Sequence, residues 1–426
     1  MNLVIVGCGA AGATAAQFAR KNDRKAEIKI FEKGKYPEYS KCALPLVISG
    51  ELSPESVIEF DEEWFEKSNI ELHLNTEVSS IDFDRRVVTT PDSEEKYDSL
   101  IIATGASPFS PVKPEGRTYF LRSLDDAVAI RKEAERSRKA VVVGAGLIGL
   151  EVAEALVKIG IDVTVLEFMP DLLLTMVDRD VARIVRERIG NDVEMLFGHR
   201  VTEIKEGERM EVAAVDGEGR EVTIKCDFVI VAAGNRANAG IAGNLSSDGR
   251  AIDVNERCET SVENVYAVGD CTRYRDILGN DIQVGLGSVA VRQGIVAGTN
   301  AVGGNRTMPP LVNARTTKIF GIEIAAAGPL NMEHTLTGKF NGSTLPEYMG
   351  GEEIFIKVHA DKKGRILGAQ AVGPGAAQRI DRFSLAINTG LTLEQFMEAE
   401  TSYAPVVAPV IDASYIACEI AGRRIR

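Results

Sequence analysis

Three observations predict an α/β chain that ends in a separate α+β domain. At two places, near Val6 and near Val143, a short apolar strand runs into a glycine-rich loop and then into an apolar helix. Each unit is followed by a second strand that ends in a glutamate, Glu32 or Glu167. The last quarter behaves differently: Ile354-Phe355-Ile356-Lys357-Val358 and Ile366 to Val372 alternate in the manner of antiparallel strands, with helical stretches near 379–388 and 393–399.

The first unit begins at Leu3–Val6 and continues through Gly7-Cys8-Gly9-Ala10-Ala11-Gly12 into an alanine-rich helix. Strand, glycines and helix in that order form a dinucleotide site. Gly7 makes the tight turn, Gly9 lets backbone N–H groups approach a pyrophosphate, and Gly12 packs helix on strand. Glu32 ends the next strand twenty residues after Gly12 and can accept ribose hydroxyls. The pattern recurs at Gly144-Ala145-Gly146-Leu147-Ile148-Gly149, with Glu167 eighteen residues beyond Gly149. Two complete Rossmann-like units imply two nucleotide ligands. A carboxylate at Glu167, followed by Phe168-Met169-Pro170 with no arginine, favours NADH, with NADPH the alternative.

Other strand ends fit the same plan. Leu100 to Ile102 stops at Ala103-Thr104-Gly105, and the strand over 227–233 stops at Gly234, where the chain is expected to return to its first domain. Tyr266-Ala267-Val268 ends in Gly269-Asp270, whose carboxylate can reach the polyol of a flavin, a role compatible with a plain helix cap. Between these, the acidic stretch 55–67 reads as helical. The expected domains are 1–110 and 237–306 for one dinucleotide, 111–236 for the other, and 307–426 for the C-terminal module.

Cys42 lies ten residues after Glu32, beside Lys41, and at the expected start of a helix before Leu46-Val47-Ile48. A buried, inert thiol is the ordinary alternative. A cationic neighbour and a helix start both favour thiolate, and the adjoining nucleotide site adds to that reading. The six cysteines, at 8, 42, 226, 258, 271 and 418, form no Cys-x-x-Cys and no metal-like spacing with the four histidines. Neither a disulfide framework nor a metal is expected, and redox chemistry at Cys42 must use one protein sulfur plus a cofactor. The net charge of −13 disfavours nucleic acid and anionic membranes as partners. No run of apolar residues reaches the length of a membrane span, and the chain reads as cytoplasmic.

The order of motifs resembles the single-cysteine flavoprotein disulfide reductases, which include coenzyme A-disulfide reductases, NAD(P)H-dependent persulfide reductases and NADH oxidases. The resemblance spans the chain and rests on the two glycine loops, Cys42-Ala43-Leu44-Pro45, Glu151, Tyr266 to Asp270, Arg379-Ile380-Asp381 and Tyr403-Ala404-Pro405. It implies a glutathione-reductase-like fold with a dimerisation domain, FAD on the first and third segments, NAD(P)H on the second, and a homodimer or a higher assembly. It adds Ala11, Lys33, Val78, Ile148 and Glu151 to the cofactor contacts, Thr14 to the substrate contacts, and Tyr403 and Tyr348 as proton donors reaching the redox cysteine from the partner chain. Coenzyme A persulfide, coenzyme A disulfide and polysulfide are the implied substrates. Coenzyme A phosphates would need cations, for which Arg20, Lys21 and Lys41 are nearest in sequence. The alternatives are an NADH oxidase cycling through a Cys42 sulfenic acid, a rubredoxin-type electron-transfer reductase and a redox sensor. Two departures matter: Ala10 and Ala11 stand where oxidase and peroxidase relatives carry a histidine, and Leu147 where a flavin-covering tyrosine is common.

Overall fold

A computed structural model describes residues 1–245, 248–333 and 335–423. They form two compact units, each built from separated segments of chain: Met1–Phe109 with Leu121–Lys132 and Gly234–Pro310, and Ser110–Phe120 with Glu133–Ala233 and Leu311–Arg426. The second segment of the first unit carries part of the helix Leu124–Ala134, which the expected boundaries assigned to the nucleotide domain of 111–236.

The first unit is organised on a five-stranded parallel sheet ordered Val265–Ala267, Ser99–Ile102, Asn2–Val6, Glu27–Phe31 and Glu71–His73. Its central strands are apolar on both faces, as a parallel sheet covered on both sides requires. Ser80–Asp82, Val87–Thr89 and Glu94–Lys96 make a separate antiparallel meander. The stretch 55–67 is only partly helical. Glu55–Val57 is a 3-10 turn, Ile58–Phe60 is a strand because it pairs with Glu38–Tyr39, and the α-helix occupies Glu62–Lys67, with Asp61 accepting from the Trp64 N–H at its start.

The second unit repeats the parallel design with Thr118–Tyr119, Phe228–Val231, Lys139–Val143, Asp162–Glu167 and Glu194–Phe197. Phe228–Val231 belongs to this sheet, and Gly234 is the first residue of the returning segment. Arg200–Glu206, Met210–Val215 and Glu221–Cys226 form an antiparallel meander. The C-terminal sheet is antiparallel throughout, with Glu353–Ala360 and Ile366–Val372 adjacent, as their alternation predicts. Helices Ala376–Thr389, Leu393–Glu398 and Ala413–Gly422 belong to this part of the chain.

A charged knot ties this sheet to the helix Arg179–Ile189. Asp178 caps that region, accepts from Asn331 N–H at 2.7 Å and Lys357 Nζ at 2.6 Å, and lies 3.0 Å from His359 Nε2. Its own N–H donates to Gln370 Oε1. These partners hold its carboxyl well below the usual carboxylate range against the opposing effect of burial.

Candidate active site

The two glycine loops are near copies at atomic level. Gly7 N–H donates to Phe31 C=O and Gly144 N–H to Leu166 C=O, both at 2.8 Å. Both glycines have left-handed φ, 104° and 112°, and a Cβ would lie 2.9 Å from the carbonyl carbon of Ala103 or of Ala232. The third glycines are equally constrained, since a Cβ on Gly12 or Gly149 would lie 3.0 Å from the carbonyl carbon of Gly7 or Gly144 and nearer still to its oxygen. The middle glycines differ. A Cβ on Gly146 would meet no protein atom within 4 Å, and one on Gly9 would meet only Lys41 Nζ at 3.9 Å. The fold therefore requires the outer two glycines, while the middle one leaves backbone open to whatever approaches the helix N-terminus. That is the cradle a pyrophosphate needs.

Glu32 and Glu167 also match. Glu32 accepts from Cys8 and Gly34 N–H, each at 2.7 Å, and Glu167 accepts from Ala145 and Met169 N–H, each at 2.6 Å. Both carboxylates are fixed against their loops, and each oxygen keeps a lone pair for a ribose hydroxyl. Of the other expected contacts, Lys33 is exposed, Val78 and Ala11 are buried, and Ala103, Thr104, Gly105 and Ile148 are partly open. Thr104 Oγ1 donates to Asn238 C=O. Glu151 accepts from Thr317 Oγ1 at 2.7 Å, and burial raises its pKa.

Asp270 sits in a 3-10 turn held by a residue that the sequence did not single out. Gln293, fully buried in the helix Gly287–Asn300, accepts from Gly269 N–H at 2.7 Å. Asp270 accepts from Arg122 at 2.9 Å, a second contact without a local sequence signal.

Cys42 lies in a short 3-10 turn, Lys41–Ala43, and the α-helix starts only at Leu44. Its more informative neighbour is distant in sequence: a Cβ on Gly287 would be 4.0 Å from Cys42 Sγ. Small residues bring the two together. A Cβ on Gly294 would press on Thr14 Cβ at 3.0 Å, and one on Gly298 would lie 2.8 Å from the carbonyl carbon of Ala15 and nearer still to its oxygen, so the helices Ala10–Asn22 and Gly287–Asn300 pack backbone to backbone. That crossing sets the N-terminus of the fourteen-residue helix at the Cys42 sulfur, where its dipole favours negative charge.

Cys42 is exposed, whereas the other five cysteines are buried. Burial is the leading cause that raises the pKa of each of those five thiols. Lys41, adjacent to Cys42, carries its ammonium over the first glycine loop. Surrounding protein and then Arg122 lower its pKa, opposed by Glu32, Asp270 and Glu38. The Lys41 side chain nevertheless keeps solvent contact, so the loss of hydration there is incomplete.

The other expected substrate contacts divide. Arg20 is committed elsewhere, donating to the carbonyls of Ser68, Asp23, Arg24 and Asn69, which removes it as a phosphate ligand. Thr14 is buried at the helix crossing. Lys21 is exposed, with Nζ 4.4 Å from the Phe18 ring centroid. Tyr403 and Tyr348 are both exposed in the C-terminal domain, and Val406, Val407, Val410 and Ile411 extend the apolar surface beyond Tyr403. Arg379 anchors the end of that segment with two bonds to the Asp412 carboxylate, at 2.9 and 2.8 Å. A cavity of about 420 Å³ in the same domain is lined by Thr337, Lys339, Lys357, His359 and Ile420, none of them in a glycine loop or the Cys42 turn.

Comparison with known proteins agrees with this geometry. The pyridine nucleotide-disulphide oxidoreductase pattern matches residues 1–294, and the dimerisation domain of those enzymes matches residues 321–414. The chain belongs to the pyridine nucleotide-disulphide oxidoreductases. The family uses FAD and NAD(P)H. Among similar sequences, an NADH oxidase of Methanocaldococcus jannaschii is 35% identical over 100% of this chain and 99% of its own. An NAD(P)H coenzyme A polysulfide/persulfide reductase of Pyrococcus horikoshii is 33% identical over 96% of each. A solved NAD-dependent persulfide reductase from A. fulgidus superposes with a TM-score of 0.92 at 33% identity, covering 100% of this chain and 84% of that one. Among the described residues no helix is long and apolar enough to cross a membrane.

Proposed function

We propose that this oxidoreductase is an NADH-dependent reductase of small sulfur–sulfur substrates: coenzyme A persulfide, coenzyme A disulfide or polysulfide. The observation that carries the reading is one exposed thiol, Cys42, set at the N-terminus of the Gly287–Asn300 helix beside a glycine loop built for a dinucleotide. The Cys42 thiolate attacks one sulfur of the substrate. An S–S bond to Cys42 forms, the substrate's own S–S bond breaks, and the sulfur that was not attacked leaves as a thiolate or hydrosulfide. Bound FAD and NAD(P)H supply the electron pair that returns Cys42 to thiolate. For a persulfide the sum is one NADH and one proton consumed, with one thiol and one hydrogen sulfide released.

Gly7, Gly9, Gly12, Glu32 and Asp270 would hold FAD, and Gly144, Gly146, Gly149 and Glu167 the nicotinamide nucleotide. Glu167 would repel a 2′-phosphate, and no arginine follows it in 168–170, which supports NADH over NADPH. Lys21 and Lys41 are the remaining cations for coenzyme A phosphates. The exposed Tyr403 segment supports a homodimer in which the partner's C-terminal domain completes the site and a tyrosine protonates the departing sulfur. The NADH oxidase relative keeps oxygen reduction as the second reading, but Ala10 and Ala11 supply no side-chain proton donor in the first loop. Cys42→Ser tests the proposal: the variant is expected to stay yellow and to be bleached by NADH while losing persulfide reduction. Persulfide reduction at the wild-type rate would exclude it.

A further inference from the structure

Glu38 lies four residues before Cys42, on the short strand paired with Ile58–Phe60. It is only 5% exposed, and its Oε2 is buried with no hydrogen-bond partner. A buried carboxylate oxygen without a donor is expensive when charged, and chains rarely retain one without use. The charged and titratable groups around it come from every neighbouring element. Glu59 stands on the paired strand, Lys41 on the Cys42 turn, and Cys8 on the first glycine loop. The Ala10–Asn22 helix that packs on the strand has its ionisable side chains, Arg20 and Lys21, in its last turn. Lys41 is therefore the cation that faces Glu38, and the same ammonium faces Glu32, Asp270 and Arg122 beside the glycine loop.

We propose that Glu38 is a titrating positioning residue for the thiol site: its charge decides where the Lys41 ammonium rests, and through that ammonium how readily Cys42 ionises. The inference rests on Cys42 being the reacting thiol. Burial first, and then Glu59, push the Glu38 carboxyl up to about 7, with Lys41 opposing, so its charge changes in the range where a cell works. Protonated Glu38 leaves Lys41 to the glycine loop and the neighbouring sulfur. Ionised Glu38 draws the ammonium toward itself and away from the neighbouring sulfur, which disfavours the thiolate. The reduction consumes a proton at each turnover, and a carboxyl that titrates against the Lys41 ammonium couples thiol reactivity to proton supply.

The test is the rate of Cys42 alkylation by iodoacetamide against pH in the FAD-bound enzyme, read by peptide mass. Wild type is expected to show two inflections, one of them near neutrality. Glu38→Gln keeps the shape of the side chain and removes its charge; it should show one inflection, with its midpoint lower by roughly 0.5–1 pH unit, as one removed charge at a partly screened distance gives. Glu38→Asp should restore the two-step profile, which a merely structural role would not require. Superposed wild-type and Glu38→Gln profiles with a reactive Cys42 overturn this inference alone. A Cys42 that resists alkylation at every pH overturns the thiol reading and this inference with it. Should Glu38→Gln fail to fold, infrared difference spectra of wild type between pH 6 and 8 decide: the inference requires a protonated carboxyl band that disappears over that range, and its absence contradicts it.

Discussion

Gly146→Ala and Gly149→Ala separate what the fold needs from what the nucleotide needs. A Cβ at Gly149 would sit 3.0 Å from the Gly144 carbonyl carbon and closer to its oxygen, so the helix Leu147–Lys158 must move off the strand that feeds it. Overpacking of this kind costs about 1–3 kcal/mol or more, and backbone on both sides of the clash leaves no side chain to yield, which places this case at the upper end. At about 2–4 °C per kcal/mol for a unit of this size, Tm of the second unit should fall by about 6–12 °C. At Gly146 no protein atom lies within 4 Å of the new methyl, and φ is −80°, which alanine adopts freely. Stability should change by less than about 1 kcal/mol. The methyl would instead occupy space reserved for pyrophosphate, and KM for NADH should rise at least about tenfold, or about 1.4 kcal/mol. Thermal unfolding and steady-state kinetics on both variants are sufficient. Equal destabilisation by the two, or an unchanged KM in Gly146→Ala, would refute the assignment of the second loop as a nucleotide cradle.

Asp178→Asn should destabilise the second unit by about 3 kcal/mol, the lower end for breaking a buried ion pair, because Lys357 keeps Asp180 at 2.8 Å. Since the folded carboxyl is held below its unfolded value, this stability is fully present above the ordinary carboxylate pKa of about 4 and is lost as pH falls through the folded pKa. Wild type and variant should therefore differ in thermal unfolding at pH 7 and converge in acid; a constant difference would contradict the ion-pair account. Val407→Asp places a charge in the exposed apolar segment beside Tyr403, and sedimentation should show dissociation together with loss of reductase activity if the site is shared between chains. An active monomer would argue that each chain works alone.

The glycine loops were legible in the sequence because their constraints are local. A tight turn, a close backbone approach and a strand-end acid all fall within one βαβ unit, and Gly7 to Glu32 and Gly144 to Glu167 obey the same rules. Cys42 was legible as a candidate, but its position at the Gly287 helix was not. That contact depends on Gly294 and Gly298, which in sequence look like weak points in a helix and in the fold permit the crossing that aims it. Arg122, Gln293 and Glu38 escaped for a related reason, since each acts through a tertiary neighbour with no spacing to mark it. Arg20 shows the opposite error: a base at a helix end reads as a ligand until its donors are found on four carbonyls. The stretch 55–67 read as helix from its acidic composition, but pairing with Glu38–Tyr39 makes 58–60 a strand.

The central claim is that Cys42 forms a covalent bond to substrate sulfur, and its most direct test is the mass of the Cys42 peptide after oxidised enzyme meets one equivalent of coenzyme A persulfide without NADH. The account predicts an added sulfur or a mixed disulfide with coenzyme A on Cys42, removed when NADH is added. An unmodified Cys42 in enzyme that still releases hydrogen sulfide once NADH is supplied would contradict it.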